Sequence, residues 1–527
     1  MKNRKMLVIA LVSLSLFFLS IGISINPVTV SAEPSPNFKY GDINGDSRVN
    51  VADYTLLRRF ILEVITSFDY IYGEEAADVN ADGQINVADY TLMRRYILEI
   101  INVFPAEVIP PVPTPTGNMN IMWDWTGIIG TGQSLSVGVT ANLAKTTNQP
   151  YNNLKLSLGN LKVPPYDHAN SALKMVPLVE PIRSVTSGFF GTYPTNIYGE
   201  TPHTAMANQI TSMVKKAGGD DYISTHTVVG ESGQGMSVIK KGATDTGNSG
   251  RSYAASMFEI NAINRLAKQS GKKYGVGGII ITHGETDFAN TNYESELYKL
   301  WSDYNQDVKA ITGQTQKISM FLVQQNSYPT TGTAVSTNAQ WKAGVDYSED
   351  ITCIGPNYQR QYSNDSIHLT SSGYQQMGEK YGQVYFEKVV LGRDWKPLHP
   401  TSVSKNGRLI TVNFHVPVPP LVWDNTLPAP NQSNLTEWKN GKGFEVSASG
   451  TRITISSVEI SGNSVKITCA NDLPTSGVKV GYAYTAGKSR PSGTVRWGQL
   501  CDSDPFKGSI SSVPQPNYGV AFEISVP

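Results

Sequence analysis

The chain has 527 residues, 40% of them hydrophobic, with 43 Lys and Arg against 43 Asp and Glu. That length allows about three or four domains with packed cores, which excludes a wholly disordered protein. The balanced charge supplies no global field to attract nucleic acid or an anionic membrane surface.

Lys2, Arg4 and Lys5 precede a largely apolar run over 6–23, and the stretch then reaches Val30-Ser31-Ala32, a small-residue cleavage pattern. Residues 1–32 are therefore expected to be a secretory signal peptide. An uncleaved anchor is the alternative, because the run is near the shortest that spans a bilayer. No later segment is comparably apolar, so the mature protein is expected to be secreted and extracellular, with no membrane attachment. Cys353, Cys469 and Cys501 form neither a disulfide framework nor a zinc pattern, and a Cys469–Cys501 bond is compatible with an oxidising compartment.

Next comes an internal repeat. G-D-I-N-G-D-S-R-V-N-V-A-D-Y-T-L-L-R-R-F-I-L-E-V-I at 41–65 recurs at 77–101 as A-D-V-N-A-D-G-Q-I-N-V-A-D-Y-T-L-M-R-R-Y-I-L-E-I-I. Oxygen-bearing side chains fall at loop positions 1, 3, 5, 9 and 12: Asp42, Asn44, Asp46, Asn50 and Asp53, then Asp78, Asn80, Asp82, Asn86 and Asp89. With the backbone carbonyls of Arg48 and Gln84 at position 7, this spacing wraps a hard cation in oxygens, and two structural calcium ions are expected. Each loop runs into a helix with apolar residues at Leu56, Phe60 and Ile61, or at Leu92, Tyr96 and Ile97.

This loop–helix doublet over 39–104 resembles a type I dockerin, the module that plugs enzymes into cohesins on a scaffold protein. The resemblance implies an all-α calcium-binding module. It also implies that Val51, Ala52, Arg58 and Arg59, with Val87, Ala88, Arg94 and Arg95, face the cohesin. A Pro/Thr-rich stretch over 105–117 follows and reads as a semi-rigid linker.

From 118 to about 400, short apolar runs alternate with helical segments. Strands are expected at 127–130, 222–229, 277–282, 318–324 and 350–354, and helices at 202–217, 253–270, 291–312 and 371–390. Such alternation indicates crossovers onto a mostly parallel sheet, whose chemistry collects at the carboxyl ends of the strands. Those ends carry, in order, I-I-G-T-G-Q-S with Ser134, V-V-G-E-S-G-Q-G with Gly233 and Gly235, I-I-I-T-H-G-E-T-D with His283 and Glu285, and S-N-D-S-I-H-L-T with Asp365 and His368. Taken alone, a D-x-x-H before a helix is also an ordinary helix-entry turn capped by Thr370 or Ser371.

In that joint order the segments resemble the SGNH (GDSL-like) hydrolases, in the carbohydrate acetylesterase branch that holds sialate O-acetylesterases and acetylxylan esterases. The resemblance implies an α/β flavodoxin-like three-layer sandwich with Ser134 as nucleophile, His368 as general base and Asp365 orienting the imidazole. It implies an oxyanion hole of the Ser134 N–H, the Gly235 (or Gly233) N–H and one side chain. Where the family pattern has Asn, this chain has none, and His283 is the expected donor, with Glu285 holding the loop or orienting His283. No metal is expected in catalysis.

Residues 401–527 alternate apolar and polar positions between Gly, Asn, Ser and Pro, as in R-L-I-T-V-N-F-H-V, and predict an antiparallel β-sandwich accessory domain. Trp423, Trp438 and Trp497 are candidates for sugar stacking or for core. The expected whole is a cellulosomal esterase acting on acetylated plant polysaccharide. A small-acyl-ester or lipid esterase and a non-hydrolytic carbohydrate-binding protein remain as alternatives.

Overall fold

The computed structural model describes residues 38–80, 84–107, 119–162, 166–188, 190–243, 251–430 and 435–527. The expected signal peptide, Asp82 and most of the 105–117 linker lie outside the described residues. The chain divides into two compact units, Met1–Pro110 and Pro111–Pro527. No helix among the described residues is long and apolar enough to cross a membrane.

The first unit contains α1 (Val51–Ile61), α2 (Gly73–Ala77) and α3 (Val87–Ile97). Asn50 and Asn86 cap α1 and α3, each accepting from the N–H two residues on, and Asp53 and Asp89 return a carboxylate to the cap N–H. The repeated N-x-x-D is thus a capping box as well as part of each loop. Leu57 and Met93 are fully buried with Ile43, Val79 and Phe104, while the expected apolar positions Leu56, Ile61, Leu92 and Tyr96 pack partly against them. Tyr54 of α1 stacks on Tyr90 of α3 at 4.2 Å between ring centroids.

The second unit is built on a seven-stranded sheet. Its strands are β1 (Trp125–Gly132), β2 (Leu154–Ser157), β3 (Lys174–Pro177), β4 (Ser224–Val228), β5 (Tyr274–Thr282), β6 (Ser319–Gln324) and β7 (Ile351–Pro356), in the order β3-β2-β4-β1-β5-β6-β7. All neighbours are parallel except β2 and β3. Its helices are α4 (Pro202–Lys216), α5 (Met236–Ile239), α6 (Ser252–Gln269), α7 (Tyr293–Thr312), α8 (Val335–Asp346) and α9 (Ser371–Tyr385).

The strand pleat sends successive side chains to opposite faces. Ile128, Ile280, Phe321, Val323 and Ile354 pack with Met206 and Ile210 of α4 and with Tyr374, Met377 and Tyr381 of α9. Ile129, Ile279, Ile281, Met320, Leu322 and Cys353 pack with Ile260 of α6, Leu297 and Tyr304 of α7 and Ala343 of α8. Helices therefore cover both faces, and the central strands are buried along their lengths.

The five expected strands and four expected helices are all present, with ends shifted by a few residues. The reading omits β2, β3, α5 and α8. Helix α8, V-S-T-N-A-Q-W-K-A-G-V-D, escapes because its buried face includes Ser336, Thr337 and Gln340, which hydrogen-bond with residues in or just after β5 and β6 and carry no apolar period.

The remaining strands are antiparallel: β8 (His399–Asn406), β9 (Leu409–His415), β10 (Val422–Trp423), β11 (Phe444–Ala448), β12 (Thr451–Arg452), β13 (Ile455–Ser461), β14 (Ser464–Cys469), β15 (Val478–Tyr482), β16 (Leu500–Cys501) and β17 (Phe522–Ser525). They form two four-stranded sheets, β13-β14-β9-β8 and β12-β11-β15-β17, and a β10-β16 ribbon. Phe414 of the first sheet meets Phe444 and Phe522 of the second. Their core is continuous with that of the α6–α8 face, so no apolar boundary marks position 400. Trp438 and Trp497 are buried and donate to the carbonyls of Val446 and Pro428, so both are core. Cys469 and Cys501 are separate buried thiols, which removes the disulfide that the sequence left open.

Candidate functional site

Four segments follow the carboxyl ends of β4, β1, β5 and β7. Hydrogen bonds between them draw the segments together. The Gln133 N–H donates to Thr282 O at 3.0 Å and the Glu231 N–H to Gly132 O at 2.9 Å. Thr286 N–H donates to Gln133 Oε1 at 3.2 Å, and Thr140 Oγ1 donates to Leu369 O at 3.0 Å. Two glycines permit this closeness. Gly132 has φ +131, and a Cβ there would stand 2.1 Å from Thr282 O; a Cβ on Gly230 would stand 1.9 Å from Ser136 Oγ.

Ser134 begins a three-residue 3-10 turn and is 3% exposed. His368, 8% exposed, precedes α9. Its Nδ1 lies 2.6 Å from Asp365 Oδ2, and its N–H donates to Asp365 Oδ1 at 2.9 Å. Because an ionised carboxylate only accepts, Nδ1 carries the proton and Nε2 is the basic nitrogen. Burial pushes the Asp365 carboxyl up, but hydrogen bonds from the His368 ring and N–H, Ser363 and Ile367 outweigh it and hold it well below the usual carboxylate range. Ser366, at φ 59, turns the chain between the two residues. Thr370, not Ser371, caps α9, so the helix-entry and Asp–His readings of this stretch coexist. Among the described residues no hydrogen bond joins Ser134 Oγ to His368.

The expectation that His283 donates to an oxyanion meets a different geometry. Its Nε2 lies 3.1 Å from Gln234 O and its Nδ1 2.8 Å from Tyr293 Oη. A carbonyl only accepts, so Nε2–H is spent on Gln234 and Nδ1 accepts from the tyrosine. Burial holds this imidazole below its ordinary pKa. Met236 N–H donates to Asp287 Oδ2 at 2.7 Å, a second tie on the same loop. His283 and Asp287 thus position the 231–236 loop, which carries Gly233 and Gly235. Glu285 does not bond to His283. It lies buried near Ser327 and His368, its pKa pushed up to about 7 chiefly by burial.

Three features lie outside the motif reading. Gln133, 3% exposed, has Oε1 held by Thr286 while its Nε2 has no acceptor among the described residues. Gln133 stands in the G-Q-S segment, but its contact with Thr286 is not legible there. Tyr293 stands on α7 with no local signal. Arg490 Nη2 donates to the carbonyls of Tyr358 and Arg360 at 2.7 and 2.9 Å, and Tyr362 N–H donates to Ser492 O at 3.0 Å. The C-terminal region therefore anchors the loop that leads to Asp365 and His368.

In the first unit, Asp53 is fully buried and accepts from the Ile43 and Asn44 N–H groups, which folds position 12 back over positions 2 and 3. Asp42 accepts from Asp46 and Ser47, and Asp46 from Arg48. The donors gathered in this loop are all oxygen, the chemistry that suits a hard cation. Among the described residues no group of three or more His, Cys, Asp or Glu is arranged as a metal cluster. Val51, Ala52, Arg58 and Arg59 are exposed on one face of α1, and Val87, Ala88, Arg94 and Arg95 on the matching face of α3.

No curated protein matches the chain. Among solved structures, a complex of the third cohesin of ScaC with the ScaB dockerin from Acetivibrio cellulolyticus matches at 43% identity, covering 13% of this chain and 96% of that one, TM-score 0.13. A carbohydrate acetylesterase from Xanthomonas citri matches at 12% identity over 76% of this chain and 80% of that one, TM-score 0.46. NanS matches at 14% identity over 51% and 98%, TM-score 0.35. Residues 40–98 match the family model of the dockerin type I domain. With its paired loop–helix repeats, this segment of the chain is a type I dockerin domain.

Proposed function

We propose that the chain is a secreted, scaffold-borne esterase that removes O-acetyl groups from plant cell-wall polysaccharide. In this reading the second unit has a flavodoxin-like three-layer hydrolase layout and a β-sandwich accessory region. The observation that carries it is the convergence at one sheet end of Ser134, the glycine loop and a His368–Asp365 pair with Nδ1–Oδ2 at 2.6 Å.

His368 Nε2 takes the Ser134 proton as Oγ attacks the acetyl carbonyl; the imidazolium, stabilised by Asp365, returns it to the departing sugar oxygen, and water releases acetate by the same route. The Ser134–His368 hydrogen bond forms as substrate binds, since such contacts are often long in unliganded enzymes. Ser134 N–H and Gly235 N–H are the backbone donors to the oxyanion. Gln133 Nε2, rather than His283, is the side-chain donor, because Thr286 fixes the amide and leaves its N–H₂ unused.

The dockerin binds a cohesin through the exposed faces of α1 and α3. The similar ScaB dockerin is in complex with a cohesin. Two calcium ions would be held by Asp42, Asn44, Asp46, the Arg48 carbonyl, Asn50 and Asp53, and by Asp78, Asn80, Asp82, the Gln84 carbonyl, Asn86 and Asp89. Asn50 and Asn86 also cap the helices that follow their loops. Calcium neutralises the crowded carboxylates and takes no part in ester hydrolysis.

Acetate release from acetylated xylan and acetylated pectin, compared with tributyrin, tests the reading. Faster release from the polysaccharides is expected. Faster tributyrin cleavage would make the protein a small-acyl-ester esterase, and release from none would make it non-hydrolytic.

A further inference from the structure

A cavity of about 280 Å³ lies where the edge strand β7 and α8 meet the start of β8 and the end of β9. It is walled by Trp341, Val345 and Pro397, and Ser348, Lys396, His399 and His415 also border it. None of these residues belongs to the four strand-end segments of the candidate active site.

Its chemistry is specific. Trp341 is 8% exposed, yet its indole N–H has no hydrogen-bond partner among the described residues, an uncommon and costly state for a buried donor. His399 Nδ1 lies 3.1 Å from Pro400 O, so Nδ1 carries the proton and Nε2 keeps an acceptor lone pair. The His415 ring stands 5.5 Å from it. Burial holds both imidazoles below their ordinary pKa, so they stay neutral. Lys396, paired with Asp394 at 3.0 Å, adds a half-exposed cation at the rim.

A carboxylate or phosphate only accepts, and would set its charge against the imidazole lone pair. A divalent metal needs more ligands than two histidines, and no cluster of three exists among the described residues. A pyranose ring offers hydroxyls that both donate and accept, together with an apolar C–H face for the tryptophan and valine walls. We propose that this cavity is a non-catalytic carbohydrate site that takes one neutral glycosyl unit of a polysaccharide chain, giving the enzyme a second grip on its substrate. The site stands independently of whether Ser134 hydrolyses esters.

Calorimetric titration of the full chain with xylotriose, which carries no ester for Ser134 to cleave, tests it. Saturable binding with Kd on the order of 1 mM is expected. Trp341→Phe, which deletes the N–H and keeps an aromatic wall, should weaken it about tenfold. Lys396→Ala, at a half-exposed position, should weaken it several-fold. The proposal is overturned by no saturable binding, by binding that neither substitution weakens, or by a cavity that takes up zinc chloride but not xylotriose.

Discussion

His283 Nε2 stands 3.1 Å from the carbonyl oxygen of Gln234, so the residue expected to face the oxyanion instead holds the loop that carries Gly235, the proposed backbone donor. His283→Ala should therefore lower kcat by about 10²-fold through misplacement of the Gly235 N–H, with little change in KM. His283→Gln, which can still donate to Gln234, should restore most of the loss. Gln133→Ala should lower kcat by about 10²–10³-fold, the loss of one direct donor. If His283→Gln were as impaired as His283→Ala, the imidazole would have a role beyond positioning.

Ser134→Ala or His368→Ala should abolish acetate release and leave cohesin binding unchanged. Asp365→Asn should leave a small residue of activity, because Nδ1–H loses its carboxylate while the base remains. Initial rates on acetylated xylan measure this. Rates within tenfold of the parent for both single variants would take these residues out of the mechanism.

Calcium removal should separate the two units functionally. Chelation is expected to abolish cohesin binding, because uncompensated carboxylates crowd each loop, and to leave acetate release unchanged. Surface plasmon resonance on an immobilised cohesin, run beside the acetate assay, reads both. Cohesin affinity that survives chelation would show that the loops need no cation.

Glu285 gives a pH dependence of stability. Its pKa is pushed from the ordinary carboxyl value of 4.5 up to about 7 in the folded chain, so between those values the folded state keeps a proton that the unfolded state has lost. Stability contributed by this group therefore falls as pH rises from 4.5 to 7. Glu285→Gln should remove that part of the slope, raising Tm more at pH 8 than at pH 5. An equal Tm change at both values would mean that Glu285 is already ionised at pH 5.

The paired loops, the helices they enter and the alternation of strands and helices were legible because each depends on neighbours in sequence. Caps, turns and the two hydrophobic periods are set within a few residues, and N-V-A-D announces both a loop and a helix start. The order of Ser134, the Gly235 loop and the Asp365–His368 pair along the chain was legible for the same reason. What each side chain touches was decided by tertiary packing. Whether His283 faces Gln234 or a substrate depends on how β4 and β5 are spaced around β1, and the Tyr293 hydroxyl that fixes its tautomer arrives on another helix. Helix α8 has a buried polar face whose partners lie on β5 and β6 segments, so no period marks it. Arg490, far downstream, holds the carbonyls of Tyr358 and Arg360. Hydrogen bonds between residues this distant in the chain exist only after the sheets have paired and packed, and no local pattern encodes them.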